Sequence, residues 1–185
     1  MEEFSVISRK KQILINCLLY SVLAFYIVLL ICILFRQRHA ARSANLIPLR
    51  GILAFLTGTD LTTGSTAQAV FIKGLALSNL LGNIVIFVPM GVYAHLLSKK
   101  KAVWRSVLLV VAISMAVEVV QYVFMLGIGD IDDVILNGIG GLAGVLLYQG
   151  IYRLCRADDW KARCITAAAA PIAGVLSFLI LIGLN

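Results

Sequence analysis

The chain alternates long apolar stretches with shorter polar connections. An α-helix needs about 20 apolar residues to cross a hydrocarbon core of about 30 Å, since each residue rises about 1.5 Å. Five stretches reach that length, and they cover about residues 13–35, 75–97, 107–126, 131–152 and 165–184. They are continuously apolar rather than alternating, so the pattern predicts membrane-spanning helices.

This pattern predicts an all-α fold, a polytopic membrane helix bundle with a four-helix core and one further C-terminal transmembrane helix. We expect a cytoplasmic N-terminal segment over 1–12 and the membrane core over 13–154, followed by an inner connection and fifth helix over 155–185. The core includes an outer loop over 36–74. An apolar patch within that loop, 46–56, is too short to span and is interpreted as interfacial or re-entrant.

Composition agrees with the pattern. Hydrophobic residues make up 61% of the chain and charged residues 14%, whereas soluble domains average about 45–50% and about 25%. The apolar excess is too large for one buried core, so a water-soluble protein and a disordered chain are both excluded. The bilayer is therefore the first predicted partner.

The formal charge of +7 is best explained by membrane topology. With the N-terminus inside, the inner segments carry eleven of the sixteen basic residues, and the loop between the third and fourth spans carries none. Because Lys and Arg collect on the cytoplasmic side, an inside N-terminus and an outside C-terminus are favoured. The basic loops contain no nucleic-acid motif, so no nucleic-acid partner is predicted.

Polar residues interrupt the spans mainly in their outer half. Asn83 and Glu118 each lie eight residues, or about 12 Å, from the outer end of their span. Asn79 shares a helix face with Asn83, and Gln121 shares one with Glu118. The acidic loop continues this cluster, because Asp130, Asp133 and Asn137 form one stripe if the fourth helix begins near Asp130, while Asp132 points away.

Several of these residues also have a purely structural interpretation. The aspartates could cap the fourth helix, and the two asparagines could join helices by hydrogen bonds. Gly140 and Gly144 form a GxxxG pattern that is typical of helix packing. Glu118 is harder to explain in this way, because a carboxylate inside a span costs roughly 2.5–3.5 kcal/mol.

No cofactor is evident from any motif. Carboxylates are ligands for hard divalent cations, which gives Glu118, Asp130 and Asp133 as candidate metal ligands. Their spacing matches no specific metal motif, and the sequence contains no recognised catalytic motif.

Four motifs in order give the chain a family resemblance. They are NLIPLR at 45–50, GNIVIFVPMG at 82–91, EVVQ at 118–121 and DIDDVILN at 130–137, followed by glycines at 138, 140, 141 and 144. Together they resemble the VanZ-like family of small bacterial membrane proteins over about 45–152. The resemblance adds Asn45 to the candidate site. Family members often have an arginine before the aspartates, where this chain has Gly127-Ile128-Gly129, and the fifth span extends beyond the usual four-helix core.

The resemblance implies a protein of the bacterial cytoplasmic membrane, in a family whose founding member is associated with low-level teicoplanin resistance. We therefore expect an outward-facing polar site that binds or protects a lipid-linked wall precursor, another envelope component or a lipophilic glycopeptide. One alternative is a metal-assisted intramembrane enzyme acting on a lipid, with Glu118 as general base. A second is a small proton or cation transporter, although the inner half of the spans lacks matching polar residues, so a continuous path is hard to draw.

Overall fold

A computed structural model describes residues 2–34, 44–57 and 66–184. The described chain contains six helices and two very short strands. In order, they are α1 (Glu2–Leu34), β1 (Ala44–Asn45), α2 (Arg50–Thr57), α3 (Thr66–Leu97), α4 (Val103–Phe124), β2 (Gly129–Asp130), α5 (Ile131–Leu154) and α6 (Asp159–Leu184).

The predicted all-α membrane bundle is confirmed. Within the described residues, four helices are long and apolar enough to cross a membrane by length and composition: Arg9–Leu34 of α1, Leu77–Leu97 of α3, and the whole of α4 and α5. Helix α6 covers the predicted fifth span, and its crossing of the membrane stays a prediction.

Several helix boundaries differ from the predicted spans. Helix α1 begins at Glu2 and α6 begins at Asp159, before the predicted starts at residues 13 and 165. Helix α3 begins at Thr66 rather than at residue 75, so the last part of the predicted outer loop is helical. Gln68 and Lys73 interrupt the apolar run there, but both residue types propagate a helix well. Hydropathy therefore marked where the apolar span begins and not where the helix begins. Two parts of the predicted outer loop, residues 36–43 and 58–65, lie outside the described residues.

A two-residue parallel ladder joins two distant connections. Ala44 pairs with Gly129 and Asn45 pairs with Asp130, so β1 before α2 lies beside β2 before α5. Two residues are too short for a strand to be predicted from alternation. The ladder sets the register between the motif at 45–50 and the aspartates at 130–133.

Helices α3 and α5 pack so closely that glycine is required. A Cβ added at Gly140 would lie 2.1 Å from the Ile84 carbonyl oxygen, and one at Gly144 would lie 2.0 Å from that of Val88. A Cβ at Gly91 would in turn lie 2.0 Å from the Gly141 carbonyl oxygen. The packing role predicted for Gly140 and Gly144 is therefore confirmed.

Two tyrosine hydrogen bonds join α1 and α3, one donated by each helix. Tyr26 of α1 donates its hydroxyl hydrogen to the Ile86 carbonyl oxygen at 2.6 Å, and Tyr93 of α3 donates to the Leu19 carbonyl oxygen at 3.0 Å. Both rings are buried. The Tyr26 contact lies close to Pro89, which has no N–H to donate within α3.

An ion network fixes α6 at the end of the bundle that holds the turn between α3 and α4. Asp159 lies 2.8 Å from Lys101 Nζ and 2.8 Å from Arg163 Nε. Burial alone would raise the pKa of Asp159, but hydrogen bonds from both cations outweigh it and hold the pKa below its usual range. Lys101 also lies 5.0 Å from the ring centroid of Tyr148. We call this end of the bundle the basic end.

The glycine contacts predict a sharp difference between two substitutions on one helix. Gly144→Ala should lower the unfolding temperature of the detergent-solubilised protein, because its methyl group must push the α3 backbone away, at a cost of about 1–3 kcal/mol. Gly150→Ala is the control, because a Cβ there meets nothing within 4 Å. Equal unfolding temperatures for the two variants would contradict this account of the packing.

Candidate functional site

The first element of the site is a carboxylate near the end of α4. Glu118 lies two turns before the helix ends, and Met125 then adopts a left-handed φ of 57° that turns the chain back. The returning chain places the Asp130 backbone N–H 2.9 Å from Glu118 Oε2, to which it donates. Glu118 is half-buried and is thus tied to the start of α5.

Asp130 joins three segments of the chain. It is the N-cap of α5, and its Oδ1 accepts a hydrogen bond from the Asp132 backbone N–H at 2.9 Å. The same oxygen accepts from Asn45 Nδ2 at 3.1 Å. Asn45 reaches it because the β1–β2 ladder places the two residues opposite each other. The capping interpretation is therefore confirmed for Asp130.

Asp132 is a site residue that the sequence-based selection missed. It is 3% exposed and points away from the α5 stripe, as expected, because its carboxylate faces α2. It accepts hydrogen bonds from the backbone N–H groups of Leu49 and Gly51, the latter at 2.8 Å. Leu49 has a φ of 64°, a left-handed conformation that costs a non-glycine residue about 1–2 kcal/mol.

Asp133 contacts α3 rather than α2. Its Oδ1 accepts a hydrogen bond from Asn83 Nδ2 of α3, and both side chains are half-buried. The predicted meeting of the second and fourth spans at this depth is therefore present. Asn79, one turn before Asn83, is exposed and does not join this contact.

The resulting acidic cluster consists of Glu118, Asp130, Asp132 and Asp133. Every hydrogen bond that these carboxylates accept in the described structure comes from a neutral group, either a backbone N–H or an asparagine amide. The ion pairs within the described residues all lie at the basic end. No described cation therefore compensates the charge of the acidic cluster.

Two further predicted residues lie outside the cluster's hydrogen bonds. Gln121 donates from Nε2 to the Leu34 carbonyl oxygen at 2.7 Å, so it fastens the end of α1 to α4. Asn137 is 1% exposed and donates to Ser114 Oγ at 2.9 Å, between α5 and α4. Its Oδ1 has no hydrogen-bond partner in the described structure.

The candidate metal ligands do not form a metal-binding group in the described part of the chain, where no three His, Cys, Asp or Glu side chains are arranged to hold an ion. Glu118 and Asp130 are joined through a backbone N–H, and Asp133 is turned toward Asn83. A bound divalent cation stays a prediction without a geometric site among these residues.

The half of the spans nearer the basic end contains a hydrogen-bonded polar group that the sequence pattern did not reveal. His95 Nδ1 lies 2.9 Å from Ser106 Oγ, and His95 Nε2 contacts Gln149 Oε1. His95 is 0% exposed and Ser106 2%, so both side chains are closed to solvent. Ser106 lies eight residues before Ser114 on α4, and this spacing could have predicted that the two serines lie on the same side of the helix.

Comparison with known proteins places this arrangement in a family. The model of the VanZ/LLP1 family matches residues 12–155, which includes every residue of the acidic cluster. The chain belongs to the VanZ/LLP1 family. Helix α6 lies outside the matched range, which agrees with the predicted extension beyond a four-helix core.

A VanZ/LLP1 relative is similar over a shorter stretch. Protein VanZ from Enterococcus faecium is 33% identical over 69 residues, covering 37% of this chain and 43% of that protein. The alignment therefore spans less than half of the relative. No solved structure matches the chain significantly.

The Asp132 contacts generate a local prediction. Asp132→Ala should increase hydrogen exchange of the backbone amides of Leu49 and Gly51, because both lose their hydrogen-bond acceptor. A buried donor left without an acceptor costs about 1–3 kcal/mol. Asp133→Ala is the control, since Asp133 bonds α3 instead of this segment. Unchanged protection of residues 46–53 in Asp132→Ala would contradict the assigned contacts.

Proposed function

We propose that the acidic cluster is an intramembrane binding site for a component of the bacterial envelope. The ligand that fits this chemistry carries ammonium or amide N–H groups. The observation that carries the proposal is the set of four carboxylates, drawn from α4 and the start of α5, that receives only neutral donors in the described structure. A ligand that brings further donors would stabilise the cluster, because uncompensated carboxylates at membrane depth are costly.

Family membership narrows the ligand class. The curated relative carries the name Protein VanZ, and the resemblance links that family to teicoplanin. We therefore propose that the site binds or protects a lipid-linked cell-wall component, or a lipophilic glycopeptide of the teicoplanin type. Both ligand classes combine an amide-rich polar part with a hydrocarbon chain, which suits a polar site flanked by apolar spans.

We also propose that the acidic cluster faces outward, with the N-terminus inside and the C-terminus outside. The support is the charge distribution: exposed basic residues gather at the basic end, and Lys and Arg favour the cytoplasmic side. A reporter enzyme that works only outside the cytoplasm should be active when fused after residue 127 and inactive when fused after residue 100. The reverse pattern would place the acidic cluster inside.

Two alternatives have weaker support. For the enzyme, the serine and histidine that lie within hydrogen-bond distance of each other, Ser106 and His95, are both buried, so this pair is not an accessible nucleophile and base. For the transporter, hydrogen-bonded polar side chains lie near both ends of the spans, Asn83 with Asp133 and His95 with Ser106. Phe87 and Val110, both apolar and 0% exposed, lie between these polar groups along α3 and α4, which weighs against a continuous polar path. Binding is the function that the geometry supports best.

Substitution of two cluster carboxylates tests the proposed function. Glu118→Gln and Asp133→Asn keep the side-chain shape and remove the charge. Each should weaken ligand binding roughly tenfold, as expected for the loss of a charge-assisted hydrogen bond. The measurement is the lowest teicoplanin concentration that inhibits growth of cells that depend on this protein. In each variant, this concentration should shift toward the value for cells that lack the protein.

The matched control is Asp158→Asn, which removes a carboxylate at the basic end and should leave susceptibility unchanged. Protein levels in the membrane fraction must be equal across the variants. The proposal fails if both cluster variants, at normal levels, protect cells as well as the native protein does.

A further inference from the structure

An apolar cleft opens between α1, α3, α5 and α6. Its volume is about 150 Å³, the size of an apolar cavity that stays dry and binds a benzene-sized molecule. Val22 and Phe25 of α1 and Pro89 of α3 line two of its walls. Because these residues lie within membrane spans, the cleft lies at the depth of lipid hydrocarbon.

Two features keep this space open. The reciprocal tyrosine bonds, Tyr26 to Ile86 and Tyr93 to Leu19, fix the distance between α1 and α3 at two levels that are seven residues, or about 10 Å, apart along each helix. The α6 residues that line the cleft are all small: Thr166, Ala169, Ala170, Ala173 and Gly174. Larger residues at these positions would fill the cleft.

Helices α1 and α6 also contact each other between the cleft and the basic end. There Arg163 Nη1 donates to Asn16 Oδ1 at 3.5 Å, and Arg163 lies seven residues, or about 10 Å, from Ala170 along α6. Arg9, Lys10 and Lys11 extend α1 beyond Asn16, and all three are exposed. None of the three forms an ion pair within the described structure.

The charge at this end favours an anionic headgroup. Nine basic side chains are exposed there: Arg9, Lys10, Lys11, Lys99, Lys100, Arg105, Arg153, Arg156 and Lys161. The described acidic side chains at the same end, Asp158 and Asp159, are already paired with Lys161, Lys101 and Arg163. An exposed cation near a membrane surface attracts anionic lipid by about 1 kcal/mol.

We propose that this protein holds one anionic phospholipid, with its phosphate at Lys10 and Lys11 and one hydrocarbon chain in the α1–α3–α6 cleft. The lipid would fill space that the bundle leaves open and would neutralise cations that the protein does not pair. This site lies at the opposite end of the bundle from the acidic cluster, so the inference does not depend on the proposed function.

Native mass spectrometry of the full-length protein in neutral detergent tests the inference, with phosphatidylglycerol and phosphatidylcholine of identical chains supplied in equal amounts. The native protein should retain one phosphatidylglycerol in preference to phosphatidylcholine. The double variant Lys10→Gln/Lys11→Gln should lose that preference by on the order of tenfold. Lys99→Gln/Lys100→Gln, at the turn between α3 and α4, is the matched control and should keep it.

A second pair of variants tests whether the hydrocarbon chain of the lipid occupies the cleft. Ala173→Phe should lower retention of both lipids, because its ring occupies the cleft, whereas Ala168→Phe, on the same helix but outside the cleft, should not. Equal retention of the two lipids by the native protein would overturn the inference. So would equal behaviour of the two phenylalanine variants, or a change of oligomeric state in Ala173→Phe without a change in bound lipid.

Discussion

The close backbone contact between α3 and α5 is the constraint on which the rest of the bundle depends. Gly140 and Gly144 let α5 approach the carbonyl groups of Ile84 and Val88 to a distance that no side chain permits. In a membrane, apolar side chains gain little from leaving lipid, so helix association relies on close packing and on polar contacts. A larger residue on this seam would separate the two helices.

The same contact brings the acidic cluster together. With α3 and α5 fixed, Asn83 lies within reach of Asp133, and α4 packs on the other side through Val110 against Gly141. Glu118 then receives the Asp130 N–H as the chain returns. The polar site is therefore a consequence of helix packing at one end, where three spans and two connections meet.

The bundle separates its two chemistries by depth. The acidic cluster lies at the end that holds β1 and β2, whereas the ion pairs of the described residues lie around Lys101 and Asp159 at the other end. Between them, Phe87 and Val110 are apolar and fully buried. This division is compatible with a binding protein whose polar site opens to one side of the membrane.

The sequence by itself determined the class of protein and most of the helices, because apolar runs of about 20 residues have few alternatives to spanning helices. It also singled out Glu118, Asn83 and Asp133, since polar groups inside a span stand out against lipid. It could not reveal that Asp132 bonds Leu49 and Gly51, or that Gln121 serves α1. The residues joined by these hydrogen bonds lie 81 or more positions apart in the chain. Helical spacing predicts which residues share a helix face, but it does not predict which segment packs against that face. Only the tertiary structure decided this, because hydrogen bonds between segments depend on how the helices pack and on a two-residue ladder too short to predict.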